Sequence, residues 1–185
     1  MNPPVATVSW RENGTPASHV CSLRAEEGGF ELAGGGTAGL RGAEVLEVRF
    51  TVRVDAAWAT RRVDVSAGPR SMAIRADGLG GWASDGAERP DLHGCTDVDL
   101  EMTPATNTLP IRRLGLSVGQ SAQIEAAWVR VPTLTVERSV QRYERLADRR
   151  YRYSSGTFSV DLNVDEDWLV LDYPPFWVRQ PLVDR

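Results

Sequence analysis

A chain of 185 residues, 42% hydrophobic and 25% charged, has the size and composition of one globular domain that can bury a core without disulfide staples. Its net charge of −4 argues against a nucleic-acid binder or a protein that coats anionic membranes. All 21 basic residues are arginine, which excludes a Schiff-base lysine and a phosphate-loop lysine and makes every such cation a planar fork.

The chain opens MNPPVATVSW, with neither a basic segment nor an apolar run, and no stretch approaches the roughly 20 apolar residues of a membrane-spanning helix. A cytoplasmic protein without integral membrane association is expected, with Cys21 and Cys95 as thiols rather than a bridge. Val5 to Trp10 reads as a short strand, and Asn13-Gly14 marks a tight turn before a second strand over Ser18 to Arg24. Gly28-Gly29 and Gly34-Gly35-Gly36 predict loops or sharp bends in the segment that follows. Ala43 to Val54 carries the clearest pattern. Leu46, Val48, Phe50, Val52 and Val54 alternate with Val45, Glu47, Arg49, Thr51 and Arg53, a period of two that no amphipathic helix produces. Strands over Thr60 to Ser66 and Ser71 to Asp77 flank a Gly68-Pro69 turn, and Trp82 opens another short one.

The chemically densest stretch is His93 to Arg113, HGCTDVDLEMTPATNTLPIRR. In a strand that ends at Pro104, Asp97, Asp99 and Glu101 lie opposite Val98, Leu100 and Met102. Ala105 to Pro110 is expected to be irregular, because a proline disfavours the helical region for the residue before it. A strand then resumes with Arg112, Leu114, Leu116 and Val118 in phase. Ser121 to Val131 and Thr133 to Leu146 alternate as strands. A helix over Ser139 to Arg149 also fits the spacing of Val140, Tyr143 and Leu146, but the alternation runs in from upstream without a cap, which favours the strand. Arg149 to Tyr153 and Thr157 to Val164 form a hairpin around Ser154-Ser155-Gly156. Asp165-Glu166-Asp167 reads as a solvated turn, and Trp168 to Tyr173 is the final regular strand before Pro174-Pro175. About ten to twelve short strands, with no linker or repeat, predict a single all-β domain over residues 1–185. Its mainly antiparallel sheet should bend into an incomplete barrel with little helix.

Three carboxylates on one strand face form either a solvated face or, turned inward, a polar site with arginine forks as partners. Arg112 on an apolar phase is costly unless paired. It bridges to Asp97 or Asp99, or it holds an anionic or polar group of a ligand. Thr106 and Asn107, between two prolines, can satisfy sugar hydroxyls or cap the loop backbone. His19-Val20-Cys21 and His93-Gly94-Cys95 contain every His and Cys of the chain. Four such donors could bind zinc, but the spacing matches no zinc pattern, and no metal or other cofactor is expected. The same scarcity argues against Ser-His-Asp and Cys-His catalysis.

The run Gly94-Cys95-Thr96-Asp97-Val98-Asp99-Leu100, followed by Thr103-Pro104 and Asn107-Thr108-Leu109-Pro110-Ile111-Arg112-Arg113, resembles the signature of a bacterial family described as glycolipid-binding. Trp58 with Thr60-Arg61, Gly81-Trp82 with Asp85-Gly86, and Asp172-Tyr173-Pro174 extend the resemblance over nearly the whole chain. It implies a strongly curved sheet around an apolar cavity, similar in outline to periplasmic lipoprotein carriers, and a non-enzymatic binder of a glycolipid or other amphipathic small molecule. From the residues themselves, Asp97, Asp99, Thr106, Asn107, Arg112 and Arg113, with Trp58, Arg61 and Trp82, form the candidate ligand-binding set. Two other readings stay open: a hydrolase or isomerase using Asp97 and Asp99, and a structural or interaction protein in which the motif only locks the sheet.

Overall fold

In the computed structural model, which describes residues 3–40 and 44–182, fifteen strands join in one sheet. The first eight are β1 (Ala6–Glu12), β2 (Ser18–Glu26), β3 (Gly29–Gly39), β4 (Val45–Asp55), β5 (Thr60–Ala67), β6 (Arg70–Ala76), β7 (Trp82–Ser84) and β8 (Ala87–Glu88). The others are β9 (Asp97–Leu100), β10 (Ser121–Val129), β11 (Val136–Ala147), β12 (Arg150–Ser155), β13 (Phe158–Val164), β14 (Val170–Tyr173) and β15 (Trp177–Gln180). The spatial order runs β8-β7-β6-β5-β4-β3-β2-β1-β15-β14-β13-β12-β11-β10-β9. Two meanders are thus zipped together where β1 meets β15, with Ser9 opposite Gln180 and Glu12 opposite Trp177. The β9–β10 pair alone is parallel among the described strands, with Asp97 opposite Ala126. A parallel pair needs a crossover. Here it holds a 3-10 turn, Pro104–Asn107, and one short helix, α1 (Thr108–Leu114).

The alternation in β4 has its expected cause. Val48, Phe50, Val52 and Val54 are buried and Glu47, Arg49 and Arg53 are exposed. Ala43, the start proposed for this strand, lies outside the described residues. The sheet curls without closing into a barrel. Among the described residues, the hydrogen bonds that tie its two ends include Thr60 N–H to the Thr96 carbonyl at 3.1 Å, Val98 N–H to Thr60 Oγ1 at 3.1 Å, Gly94 N–H to the Gly80 carbonyl at 2.9 Å, and Trp82 Nε1–H to the Cys95 carbonyl at 2.8 Å. The crossover fills the inside of the curl, with residues 102–111 buried throughout. Two apolar clusters flank it. One is built on Trp10, Leu32, Phe50 and Val63 and takes in Leu109. The other is built on Tyr143, Tyr151 and Leu162 and takes in Ile111.

Two local expectations fail for identifiable reasons. Gly28 does turn the chain, at φ 80°, but Gly34-Gly35-Gly36 is not a bend: it is the interior of β3, each residue paired with both β2 and β4. Gly34 lets the backbone lie against its neighbours: a Cβ there would sit 2.6 Å from the Val20 carbonyl oxygen and 2.7 Å from the Phe50 ring. The segment after Pro104 is helical rather than irregular followed by strand. Pro110 stands in the first turn of α1, where its missing N–H has no partner to lose. Thr103 caps the preceding turn, its Oγ1 accepting from Ala105 N–H at 3.3 Å, and Gly115 ends the helix at φ 53°. Strand, not helix, is found at β11, although it begins only after Leu134, which turns the chain at φ 56°. The tail beyond Pro174-Pro175 adds a further strand, β15.

Candidate functional site

The acidic alternation of β9 faces inward. Val98 and Leu100 pack into the first apolar cluster, so both faces of the strand are covered, and Asp97 is 1% exposed rather than part of a solvated face. Its partner is Arg113, not Arg112. The guanidinium donates two parallel hydrogen bonds, Nε to Oδ1 at 3.0 Å and Nη2 to Oδ2 at 2.5 Å, and Thr96 Oγ1 adds a third at 3.2 Å. Burial pushes the Asp97 carboxyl up from its ordinary range, and the Arg113 fork opposes that push. The pair ties β9 to the last turn of α1, a favourable end for a cation.

Asp99 has no arginine. Gln141 Nε2 donates to its Oδ2 at 2.7 Å and Thr106 Oγ1 to its Oδ1 at 3.4 Å. Burial raises this carboxyl to about 6, with the neighbouring charges of Glu101 and Asp97 adding to the effect. Thr106 also accepts the Leu100 N–H at 3.2 Å, so it fixes both the strand and the acid. Asn107 is held at both ends, Nδ2 donating to the Pro104 carbonyl at 3.1 Å and Oδ1 accepting from the Tyr143 hydroxyl at 2.9 Å.

Asp99 and Asn107 open onto a cavity of about 520 Å³ between the crossover, strands β10 to β15 and the ends of β1 and β3. Leu100, Met102, Trp128 and Trp177 form apolar parts of its wall. Tyr153, Phe158, Tyr173 and Phe176 form an aromatic cluster, with neighbouring ring centroids about 6 Å apart. Phe176 is 45% exposed and stands at the mouth. Burial first, then the nearby Tyr153 and Asp99, holds the Tyr173 phenol above its usual range. Burial and Asp99 do the same to Tyr153, so both are hydroxyl donors at neutral pH. Two further acids line the space. Glu101 accepts from Val131 N–H at 2.8 Å and lies 3.4 Å from Arg130, and Glu12 accepts from Gly39 N–H at 2.9 Å. Among the described residues no arginine or histidine lines this cavity.

The other candidates lie elsewhere. Arg112 and Trp58 meet at a second, smaller cleft, the guanidinium carbon 4.5 Å from the indole centroid. Arg61 Nη1 donates to the Asp77 carbonyl and lies 3.7 Å from Asp55. Trp82 is buried with its N–H on Cys95. His19 is buried against Trp177, its Nε2 2.6 Å from the Thr37 carbonyl, and burial lowers it to about 4; His93 is exposed. Burial pushes the Cys21 and Cys95 thiols up to about 12 and about 11. Among the described residues no three His, Cys, Asp or Glu side chains converge to hold a metal, and no helix is long and apolar enough to cross a membrane. The aromatic cluster of the cavity is what sequence reasoning does not isolate. Tyr151 and Tyr153 share a strand phase, yet Tyr151 packs into the core and Tyr153 reaches the void.

A family model described as "Putative glycolipid-binding" matches residues 7–179. The fold is shared with the crystal structure of a DUF1089 family protein from Pseudomonas aeruginosa. That protein is 33% identical and superimposes with a TM-score of 0.76 over 97% of this chain and 95% of that one. No curated protein matches the chain at a significant level.

Proposed function

Because the chain belongs to the family described as "Putative glycolipid-binding", we propose that the cavity of about 520 Å³ holds a glycolipid or a similar amphipathic lipid with an uncharged, polyhydroxylated head. The observation that carries this reading is the lining: carboxylates, an amide and phenols beside aromatic rings, with no guanidinium among the described residues. Carboxylates accept hydrogen bonds from sugar hydroxyls, and aromatic faces cover their C–H surfaces. A phosphate head would instead meet Asp99, Glu101 and Glu12, and the guanidinium next to them, Arg130, is already paired with Glu101 and Glu137. The volume falls within the roughly 300–1,000 Å³ of small-molecule sites. Asp99 and Asn107 would meet the head, and Phe158, Phe176 and Trp177 the apolar part. Thr106 and the Asp97–Arg113 pair would hold Asp99 in place. The continuous sheet supports one binding domain over 1–185, and two buried free thiols fit a reducing, cytoplasmic setting.

Native mass spectrometry after mild extraction tests the proposal, with neutral glycolipid and phosphatidylglycerol offered in competition. Selective retention of the glycolipid, weakened at least tenfold in Asp99→Asn, is expected. Equal retention of both lipids, or of neither, would sink it. A second reading rests on one observation, the raised carboxyl of Asp99 inside a cavity, which suits a general acid or base. It requires turnover of a bound glycoside or ester that Asp99→Asn abolishes.

A further inference from the structure

On the other side of the crossover lies a cleft of about 280 Å³, lined by Trp58, Ile111, Arg112, Arg145, Tyr151 and Trp168. Two of its walls are the same local structure built twice. Asp55-Ala56-Ala57-Trp58-Ala59 joins β4 to β5, and Asp165-Glu166-Asp167-Trp168-Leu169 joins β13 to β14. In each, the aspartate Oδ1 accepts from the N–H groups two and four residues on, at 2.9 and 3.0 Å in the first and 3.0 and 2.9 Å in the second. In each, the aspartate carbonyl accepts from the tryptophan N–H and the aspartate N–H donates to the carbonyl four residues on. Both tryptophans sit at φ 67°. A bulky side chain in the left-handed region is rare and costs free energy, so two equivalent cases facing one cleft ask for a shared reason.

Each indole carries a guanidinium. Arg112 lies 4.5 Å from the Trp58 centroid and 6.0 Å from Phe30; Arg145 lies 5.2 Å from Trp168 and 5.8 Å from Tyr151. The two arginines differ in what else they hold. Arg145 is committed, donating to the carbonyls of Leu116, Ala147 and Asp148 and pairing with the Asp148 carboxylate at 3.1 Å. Arg112 forms no hydrogen bond or ion pair among the described residues, and its Nε is buried without a partner. Burial lowers its affinity for its proton, and the charge of Asp167 only partly offsets this. A half-buried fork with open donors, backed by an indole and beside a second guanidinium, lacks one thing: an oxyanion.

We propose that this cleft binds a small organic oxyanion, a carboxylate or phosphate ester, whose oxygens take the open donors of Arg112 while its apolar body rests against Trp168, Tyr151 and Ile111. The site is separate from the large cavity in residues and in charge. It suits an anion where the cavity suits a neutral head.

The test is quenching of tryptophan fluorescence, backed by calorimetry. The probes are benzoate, inorganic phosphate, and phosphatidylcholine vesicles with and without phosphatidic acid. Saturable binding of at least one anion is expected, weakened at least about tenfold in Arg112→Gln and unchanged in Asp99→Asn. Response to soluble anions would assign a free metabolite. Response only to phosphatidic acid vesicles would assign a lipid head. If Arg112→Gln fails to fold, Arg112→Lys keeps the charge and loses the fork, and binding should still fall. In the wild-type protein, the Arg112 Nε–H resonance should shift on adding anion. No saturable binding of any probe, or full binding in Arg112→Gln, would overturn the proposal. Loss of anion binding in Asp99→Asn but not in Arg112→Gln would move it to the large cavity and refute this site.

Discussion

Replacing Arg113 with methionine isolates the buried pair under the candidate site. The substitution keeps the aliphatic stem that packs in α1 and removes the fork, leaving the Asp97 carboxylate, 1% exposed, with one hydroxyl donor at 3.2 Å. Breaking a buried pair from one side costs about 3–5 kcal/mol. Arg113 retains 20% side-chain exposure, which argues for the lower end, about 3 kcal/mol at pH 7.5. For a chain of this size that is a fall in Tm of about 6–12 °C. The loss must also depend on pH. Without the fork, only the Thr96 hydroxyl opposes burial at Asp97, and its folded pKa rises further above the unfolded value near 3.9. The native variant then keeps a proton that the unfolded chain has released. Its stability is therefore greatest near pH 4 and declines by up to about 1.4 kcal/mol per pH unit until the folded pKa is passed. Urea unfolding at pH 5 and pH 7.5, at constant m-value, reads both effects. A loss under about 1 kcal/mol, or one that does not shrink at pH 5, would refute the reasoning. Adding Asp97→Leu should restore most of the stability, since the desolvated charge goes with it.

Asp99 should mark the wild-type pH profile. Its folded pKa of about 6 lies above the unfolded value, so stability falls as pH rises from about 4 to about 6, by about 2 kcal/mol once water in the cavity is allowed for. Asp99→Asn should flatten that window in thermal melts, and an unchanged profile would show that Asp99 is not the group responsible. Gly34→Ala should cost about 1–3 kcal/mol in urea unfolding through overlap with the Val20 carbonyl and the Phe50 ring; a neutral result would mean β3 shifts freely. Thr103→Ala, which deletes the cap of the crossover, should cost about 1 kcal/mol in the same assay, with no loss meaning that another group satisfies Ala105 N–H.

Most strands of this sheet are legible because alternation and burial share a cause. β4, β5, β10 and the β12–β13 hairpin each put one apolar set inside. Where that link breaks, the pattern misleads. In β3 the glycines let the strand lie close to β2 and β4, with Gly34 against Phe50, rather than turn the chain, and a lone sequence does not distinguish the two uses. In α1 the pre-proline restriction on Leu109 yields to a capped turn already packed between two cores, so Arg112 and Arg113 leave the helix on different sides instead of opposite strand faces. The site follows suit. Asp97 and Asp99 stand out by composition, but which of them meets Arg113 depends on the helix. Which aromatics meet a void depends on curvature, a property of the whole sheet. The twin Asp-x-x-Trp turns are visible in the letters, and their convergence on one cleft is not.

The meeting of β1 with β15 makes the strand order a rotated copy of the chain order. Joining β15 to β1 through a short linker, and opening the chain between β8 and the 3-10 turn Pro90–Leu92, would yield a circular permutant whose strands read β9 through β15 and then β1 through β8. Every strand pair would then link consecutive segments, and the long-range closure between the first and last strands would become a hairpin. The permutation makes the β1–β15 closure local and makes the ties of Thr60, Gly80 and Trp82 to residues 94–98 long-range instead, so stopped-flow refolding of the permutant reads which of the two closures limits folding.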